Sequence, residues 1–185
     1  WGDGMLAPVD ITGVRLETER LILRPWKADE AEDLFDYASI EGLGQMAGWL
    51  PHKSIVESKV ILDLFIRGKK TFAIELKENG KVIGSLGIEE PDPDPEERLL
   101  GRELGYVIHK NYWGKGLMPE AVKRVIDWCF EELKLDYLTC CHFDWNMQSS
   151  RVIEKTGFRY FSTGPYTTQY GKVETSLNYI LYNKR

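Results

Sequence analysis

A short segment with two glycines, 113–118 (WGKGLM), stands between a strand-like run and a long helical pattern. Gly114 and Gly116 let the backbone approach a ligand without interference from a Cβ atom. The first amides of a helix lack internal partners and carry partial positive charge, so they can hold a pyrophosphate. Pro119 suits an early helical position, where its missing N–H costs little. The segment therefore predicts either a pyrophosphate loop or a strand-to-helix turn that needs glycine for tightness.

Two other phosphate motifs do not fit this segment. A P-loop needs glycine, four residues and then Gly-Lys-Ser/Thr, and the chain contains no such run. A dinucleotide fingerprint needs a third glycine three residues after the second, but position 119 is proline. The sequence therefore argues against a nucleotide-binding module of either kind.

The hydrophobic periodicity predicts an α/β protein with one mixed sheet and helices on both faces. The unit of a strand, a helix and a strand around the glycine segment predicts a parallel pair joined by a crossover helix, where a ligand crevice is expected. The predicted strands are 21–24, 71–76, 81–88, 103–109, 137–143, 158–162 and 173–182, and the predicted helices are 28–40, 54–67, 116–134 and 148–155.

The composition predicts one domain of ordinary size. The chain has 185 residues, of which 43% are hydrophobic and 29% charged, and its net charge is -5. This balance suits a single core and argues against a nucleic-acid partner. No apolar run approaches the roughly 20 residues that a membrane span needs. We expect 14–185 to form one domain and 1–13 to be an N-terminal extension or an expression remnant, and whether residues 1–4 are native is left open.

The three cysteines, Cys129, Cys140 and Cys141, match no zinc-binding spacing. Neighbours in a strand point to opposite faces, so Cys140 and Cys141 should not pair with each other. We expect small core or near-core thiols in a reduced, cytoplasmic setting, and no metal.

Three blocks, in order along the chain, resemble the GCN5-related N-acetyltransferase (GNAT) superfamily, and most closely its RimJ/RimL-like branch, which acetylates the N-termini of ribosomal proteins. The opening strand of that branch resembles 20–25 (RLILRP). Its central strand and pyrophosphate loop resemble 103–106 (ELGY) and 112–121 (YWGKGLMPEA). Its following helix and turn resemble 146–158 (NMQSSRVIEKTGF), and the whole resemblance covers about 15–183.

The resemblance implies the acyl-CoA N-acyltransferase fold, of about seven strands, with acetyl-CoA as cosubstrate. It implies that the backbone of Ile108 binds the pantetheine arm and that Asn146 and Ser149 contact the cofactor. The pyrophosphate would lie on Trp113, Gly114, Lys115, Gly116, Leu117 and Met118. Trp113 and Met118 depart from the general pattern of the superfamily but look typical of this branch, and phosphate contacts there are mostly made by the main chain.

Acetyl transfer needs a base for the amine and an acid for the leaving thiolate. The branch uses a glutamate where Glu103 stands, directly or through water, although a solvated or salt-bridged glutamate would also suit that position. Many members carry a tyrosine where this chain has Ile153, which cannot donate a proton. Ser149 lies one helical turn earlier on the same face and can take that role, or it is a first-turn residue of a helix that Asn146 caps.

Because no cysteine lies where acetyl-enzyme chemistry is suggested, we expect direct attack in a ternary complex. The acceptor is a primary amine, either a protein N-terminus or a small molecule such as a polyamine, an amino acid or an aminoglycoside. The residues that could contact it are Trp49, His142, Tyr166 and Tyr170. A non-catalytic acyl-CoA-binding regulatory domain remains the alternative from another class, and a monomer or a homodimer is expected.

Overall fold

The structure, a computed structural model, describes residues 6–95 and 98–184. Strands and helices alternate along most of the chain. The strands are β1 (Leu16–Glu17), β2 (Leu21–Pro25), β3 (Thr71–Leu76), β4 (Val82–Glu89), β5 (Gly101–Ile108), β6 (Tyr137–Phe143), β7 (Arg159–Thr167) and β8 (Val173–Tyr182). The helices are α1 (Ala31–Ala38), α2 (Ile55–Gly68), α3 (Leu117–Glu131) and α4 (Met147–Lys155).

The strands form one sheet in the order β1-β2-β3-β4-β5-β6-β8-β7. Neighbouring strands run antiparallel, except for β5 and β6, which are parallel and are joined through α3. The predicted parallel pair with its crossover helix is therefore confirmed. None of the helices within 6–95 and 98–184 is long and apolar enough to cross a membrane.

The sheet is covered on both faces, which confirms the predicted layers. Strand residues alternate between the faces, as the pleat requires. In β3, Phe72 and Ile74 pack into a core shared with α3 and α4, whereas Ala73 packs into a second core shared with α1 and α2. The helices thus bury their apolar stripes on opposite faces of one sheet.

Two strand predictions need correction. Within the described residues the sheet has eight strands where about seven were predicted, because β1 spans only Leu16–Glu17 and is too short to show a period-2 pattern. The strand predicted at 158–162 continues to Thr167, so Tyr166 lies on β7 and not in a loop. Pro165 fits within β7 because β7 is an edge strand, where proline is tolerated.

The described part of the N-terminal segment packs onto the domain. Ala7 and Ile11 are buried in the core that α3 and α4 share. The buried Arg102 guanidinium donates through Nε to the Ala7 carbonyl at 3.1 Å, and the Ile11 amide donates to the Lys69 carbonyl at 3.0 Å. Packing therefore continues beyond the boundary predicted at residue 14. Whether residues 1–4 are native is a question outside the described residues.

Candidate active site

A cavity opens where β5 and β6 part. Their pairing runs only from Gly101 opposite Tyr137 to Glu103 opposite Thr139, although both strands continue further. Beyond that point a cavity of about 810 Å³ extends between the strands, the start of α4, the segment between α1 and α2, and the hairpin of β7 and β8. This is the crevice that the predicted parallel pair led us to expect.

The free edge of β5 turns backbone groups toward the gap. The His109 amide donates to the Ile83 carbonyl at 2.7 Å, which fixes the residues of β5 whose backbone groups face β4. By the alternation of an antiparallel ladder, the amides and carbonyls of Tyr106 and Ile108 face the other way, toward β6. The Ile108 carbonyl accepts a hydrogen bond from Trp113 Nε1 at 3.0 Å. The Ile108 amide is therefore available to bind a ligand, as are the amide and carbonyl of Tyr106.

The glycine segment has the backbone conformation of an anion-binding loop. Gly114 and Gly116 have φ values of 75° and 76°, which other residues rarely adopt. Gly116 is the N-cap of α3 and offers no side chain to cap it. Within the described residues, the amides of Gly114, Lys115 and Gly116 donate no hydrogen bond. These unpaired donors at a helix N-terminus fit the pyrophosphate of a coenzyme A derivative.

A polar clamp that sequence reasoning missed holds this loop. Arg20 Nε donates to Glu120 Oε1 at 2.9 Å, and Arg20 Nη1 donates to the Lys115 carbonyl at 2.9 Å. The Thr18 hydroxyl donates to Glu120 Oε2 at 2.6 Å. Burial acts in the opposite direction, but hydrogen bonds from Thr18 and Arg20 lower the pKa of the Glu120 carboxyl. Arg20 and Glu120 both lie in sequence blocks that resemble the GNAT superfamily, and their presence in those blocks could have indicated the clamp.

Replacing Arg20 by Met should raise the KM for acetyl-CoA about tenfold with little change in kcat, because a positioned loop serves ground and transition states alike. Steady-state kinetics at saturating acceptor measure both constants. Arg15→Met is the matched control, since Arg15 pairs with Glu17 on the exposed surface at 3.2 Å. An unchanged KM for Arg20→Met would show that the clamp does not position the loop.

Glu103 lies where the strands part and lines the cavity. Burial raises the pKa of its carboxyl to about 7, with the neighbouring Asp92 charge acting in the same direction. The hydrogen bonds that it accepts from the Asp92 amide and the Thr139 hydroxyl only partly offset this. A carboxylate with a pKa near neutrality suits a general base at neutral pH.

Ser149 stands across the gap from β5, in the first turn of α4. Asn146 caps that helix, because its side-chain carbonyl accepts a hydrogen bond from the Ser149 amide at 3.2 Å. The Ser149 and Tyr106 hydroxyls lie 3.0 Å apart and share a hydrogen bond. Ile153 is buried in the core and does not line the cavity. Tyr106 was missed as a functional residue, although it stands in the ELGY block.

One cysteine lies nearer the site than the sequence indicated. Cys141 lines the cavity, whereas Cys129 and Cys140 are buried in the core. Burial raises the pKa of the Cys141 thiol to about 12, and the Glu103 charge adds to the effect. A thiol that stays protonated is a poor nucleophile, so the environment disfavours an acetyl-cysteine intermediate.

The cavity also gathers the residues predicted to meet the acceptor. Trp49, His142, Tyr166 and Tyr170 all line it. The Gln169 amide donates to the Gly48 carbonyl at 2.8 Å, which joins the β7–β8 turn to the segment between α1 and α2. These contacts bring two distant segments together over one side of the cavity.

Hydrogen bonds within the protein engage the ring of His142, one of the four residues predicted to meet the acceptor. Its Nδ1 donates to the Phe143 carbonyl at 2.7 Å, and its Nε2 accepts from the Tyr179 hydroxyl at 3.0 Å. Because both ring nitrogens are engaged within the protein, a contact with an acceptor would use the face or edge of the ring.

The predicted cofactor residues fall into two groups. Ile108, Trp113, Met118 and Asn146 line the cavity, together with Glu103 and Ser149. Gly114, Lys115, Gly116 and Leu117 lie outside its lining, in the loop that leads to α3. The described residues contain no group of three or more His, Cys, Asp and Glu side chains that could hold a metal ion.

Comparison with known proteins agrees with this geometry. The family model of the acetyltransferase (GNAT) domain matches residues 20–159. The chain is 31% identical over 150 residues to the uncharacterised N-acetyltransferase p20 of Bacillus licheniformis, covering 78% of this chain and 82% of that protein. The chain therefore belongs to the GNAT acetyltransferase family. Its activity as an acetyl-CoA-dependent N-acetyltransferase follows from that membership.

Solved structures share the same fold. A GNAT-family acetyltransferase from Bacillus anthracis superimposes with a TM-score of 0.81 at 20% identity, covering 93% of this chain and all of that one (100%). A ribosomal-protein-S5-alanine acetyltransferase from Vibrio fischeri superimposes with a TM-score of 0.72 at 22% identity, covering 92% of this chain and 97% of that one. The predicted acyltransferase fold is thus confirmed.

Proposed function

We propose that this protein acetylates the N-terminal α-amine of a protein by direct attack in a ternary complex, with Glu103 as the general base and Ser149 as the general acid. We also propose that 14–185 form one catalytic domain. The observation that carries the proposal is the Glu103 carboxyl, whose pKa of about 7 is set by burial where β5 and β6 part.

The acidity of the amine favours an α-amine over a lysine side chain as the acceptor. An α-amine has a pKa of about 7.7–8.0 and a lysine amine one of about 10.4. Proton transfer to a carboxylate with a pKa of about 7 is therefore uphill by about one unit for the first amine and by more than three for the second. Each unit corresponds to about 1.4 kcal/mol, so an α-amine is deprotonated much more readily.

The remaining roles follow from the groups that face the gap. Bound acetyl-CoA supplies the activated acyl group as a thioester. The amides of 114–116 would hold its pyrophosphate, while the Ile108 amide and the Asn146 side chain would contact its arm. The backbone amides on the free edge of β5 are suited to stabilise the developing oxyanion. Ser149 gives its hydroxyl hydrogen to the leaving sulfur and regains one from solvent.

Two observations bear on the class of acceptor. The Vibrio fischeri neighbour is described as a ribosomal-protein-S5-alanine acetyltransferase, which supports a protein acceptor. Three further acidic residues, Glu89, Glu90 and Asp92, line the cavity beside Glu103. They favour a second candidate, a small cationic amine of the polyamine class, because the charges of Glu90 and Asp92 would attract it, whereas Glu89 is paired with Lys70.

Thiol release from acetyl-CoA should distinguish these acceptors. The panel contains a lysine-free peptide with a free α-amine, the same peptide with a blocked N-terminus and an added lysine, and a polyamine. We expect the highest kcat/KM for the free α-amine. Faster turnover of the polyamine would favour the second candidate. Tight coenzyme binding without turnover of any amine would indicate a non-catalytic acyl-CoA-binding domain.

A further inference from the structure

One hydrogen bond spans the gap between β5 and α4. The Tyr106 and Ser149 hydroxyls lie 3.0 Å apart, and both residues line the cavity. Tyr106 comes from the strand whose free edge faces the gap, and Ser149 from the helix that begins on its far side. The bond therefore lies where the acyl group and the sulfur of the cosubstrate would pass.

We propose that Tyr106 is a positioning residue for the proposed reaction: its hydroxyl donates to Ser149 Oγ and so leaves the Ser149 hydrogen free to point at the leaving sulfur. This inference rests on the role proposed for Ser149. The proposal gives Ser149 a hydrogen-bond partner, Tyr106, that the sequence alone did not indicate.

The direction of the hydrogen bond follows from acidity. A phenol, with a pKa of about 10, is a far stronger acid than an aliphatic hydroxyl, so it is the better donor of the pair. Burial raises the pKa of the Tyr106 phenol further above its ordinary value, although the bond to Ser149 acts in the opposite direction. Tyr106 therefore keeps its hydrogen throughout the neutral range and acts through Ser149 without ionising.

Another hydroxyl on the same helix donates its hydrogen to the helix backbone. Thr156, at the end of α4, turns its hydroxyl back to the Val152 carbonyl at 2.9 Å and the Ile153 carbonyl at 3.0 Å. Serine and threonine on helices commonly do this, and the bond consumes their only hydrogen. Without Tyr106, the Ser149 hydroxyl would be free to turn toward another acceptor and would then present no hydrogen to the sulfur.

The proton balance needs no further reactant. Glu103 first passes the ammonium proton of the acceptor to water, and the neutral amine nitrogen then bonds to the acyl carbon and loses a second proton to Glu103, while the carbon–sulfur bond breaks and its electron pair stays on sulfur. Ser149 gives its hydrogen to that sulfur and takes one from water in the same step, and Glu103 returns its proton to the hydroxide that remains. Tyr106 keeps its hydrogen throughout.

Tyr106→Phe keeps the ring and removes the hydroxyl. We expect kcat to fall about tenfold, the lower end of what the loss of a hydrogen bond to a charged group predicts, with the KM for acetyl-CoA nearly unchanged. Ser149→Ala should cause a similar loss, and the double variant should be no worse than the poorer single variant, because the two hydroxyls act as one unit. Additive losses would contradict the pairing.

A second measurement does not depend on turnover. The ultraviolet absorbance of the thiolate reports the pKa of coenzyme A bound to the protein. A hydrogen bond from Ser149 stabilises the thiolate, so Tyr106→Phe and Ser149→Ala should each raise that pKa by about one unit. An unchanged pKa and an unchanged kcat in Tyr106→Phe would overturn the inference.

Tyr160→Phe is the matched control. The Tyr160 hydroxyl shares a hydrogen bond with the Thr163 hydroxyl at 2.7 Å, but on the exposed face of β7. This variant should keep the wild-type kcat and thiol pKa. If the unaltered protein acetylates no amine, the proposed function fails; if it turns over and Tyr106→Phe behaves like Tyr160→Phe, only the positioning role fails.

Discussion

Glu103→Gln should lower kcat/KM for an α-amine acceptor by about 10²- to 10³-fold, within the range usual for loss of a general base. Glutamine keeps the shape of the side chain and cannot take a proton. The affinity for acetyl-CoA should change little, because the cofactor loop lies at the other end of β5. Steady-state kinetics together with calorimetric titration of coenzyme A separate the two effects.

The pH dependence of the activity of the unaltered protein should also show that Glu103 acts as a base. Glu103 acts as a base only when ionised, and burial raises its pKa to about 7, so kcat/KM should fall tenfold per unit as pH drops below 7. In Glu103→Gln this limb of the profile should disappear. A limb that persists unchanged in the variant would assign the ionisation to another group.

The stability of the folded protein should fall over the pH range in which its activity rises. The folded pKa of Glu103 is raised from 4.5 to about 7, so the folded protein binds the proton more tightly than the unfolded chain. That contribution is fully present below about pH 4.5 and is lost as pH rises to about 7. Glu103→Gln does not incur this loss, so it should melt at a higher temperature than the unaltered protein at pH 8.

Glu90→Gln is the control variant for the activity measurements on Glu103→Gln. Glu90 also lines the cavity, but it is exposed and lies beyond the end of β4. Removing its charge alters the field in the cavity without removing a base, so we expect a much smaller loss of kcat/KM. An equal loss in both variants would attribute the effect to the cavity's charge.

Gly105→Val should abolish most of the activity and leave the fold intact. Alternation along β5 puts position 105 on the same face as Glu103, and a Cβ built there meets no other atom within 4 Å. Valine suits a strand, so the sheet should tolerate it. Its side chain would enter the cavity beside the base, and we expect kcat/KM to fall about 100-fold, since small misplacements of a substrate cost that much.

Gly164→Val provides the control for this variant. Gly164 lies on β7, a Cβ there also meets no atom within 4 Å, and the residue does not line the cavity. Both variants should keep a melting temperature close to that of the unaltered protein. Full activity of Gly105→Val would show that the reacting groups do not meet at this part of the cavity.

The loop proposed to bind the cofactor was indicated by the order of residues alone. A phosphate is held by main-chain amides, and glycines at a helix start are a local signal for such a loop. The same holds for the layers of the fold, because each strand and helix carries its own period. The absence of a proton donor at position 153 was likewise evident, since it follows from the residue type.

What the order of residues could not supply was the environment of each group. The carboxyl of Glu103 becomes a base with a pKa of about 7 only because the folded protein buries it. Arg20 meets Glu120, and Tyr106 meets Ser149, across 100 and 43 positions of the chain. Burial and such distant contacts depend on how the sheet brings its strands and helices together, and no local pattern encodes that. The tertiary structure therefore decided which polar residues act together and with what acidity.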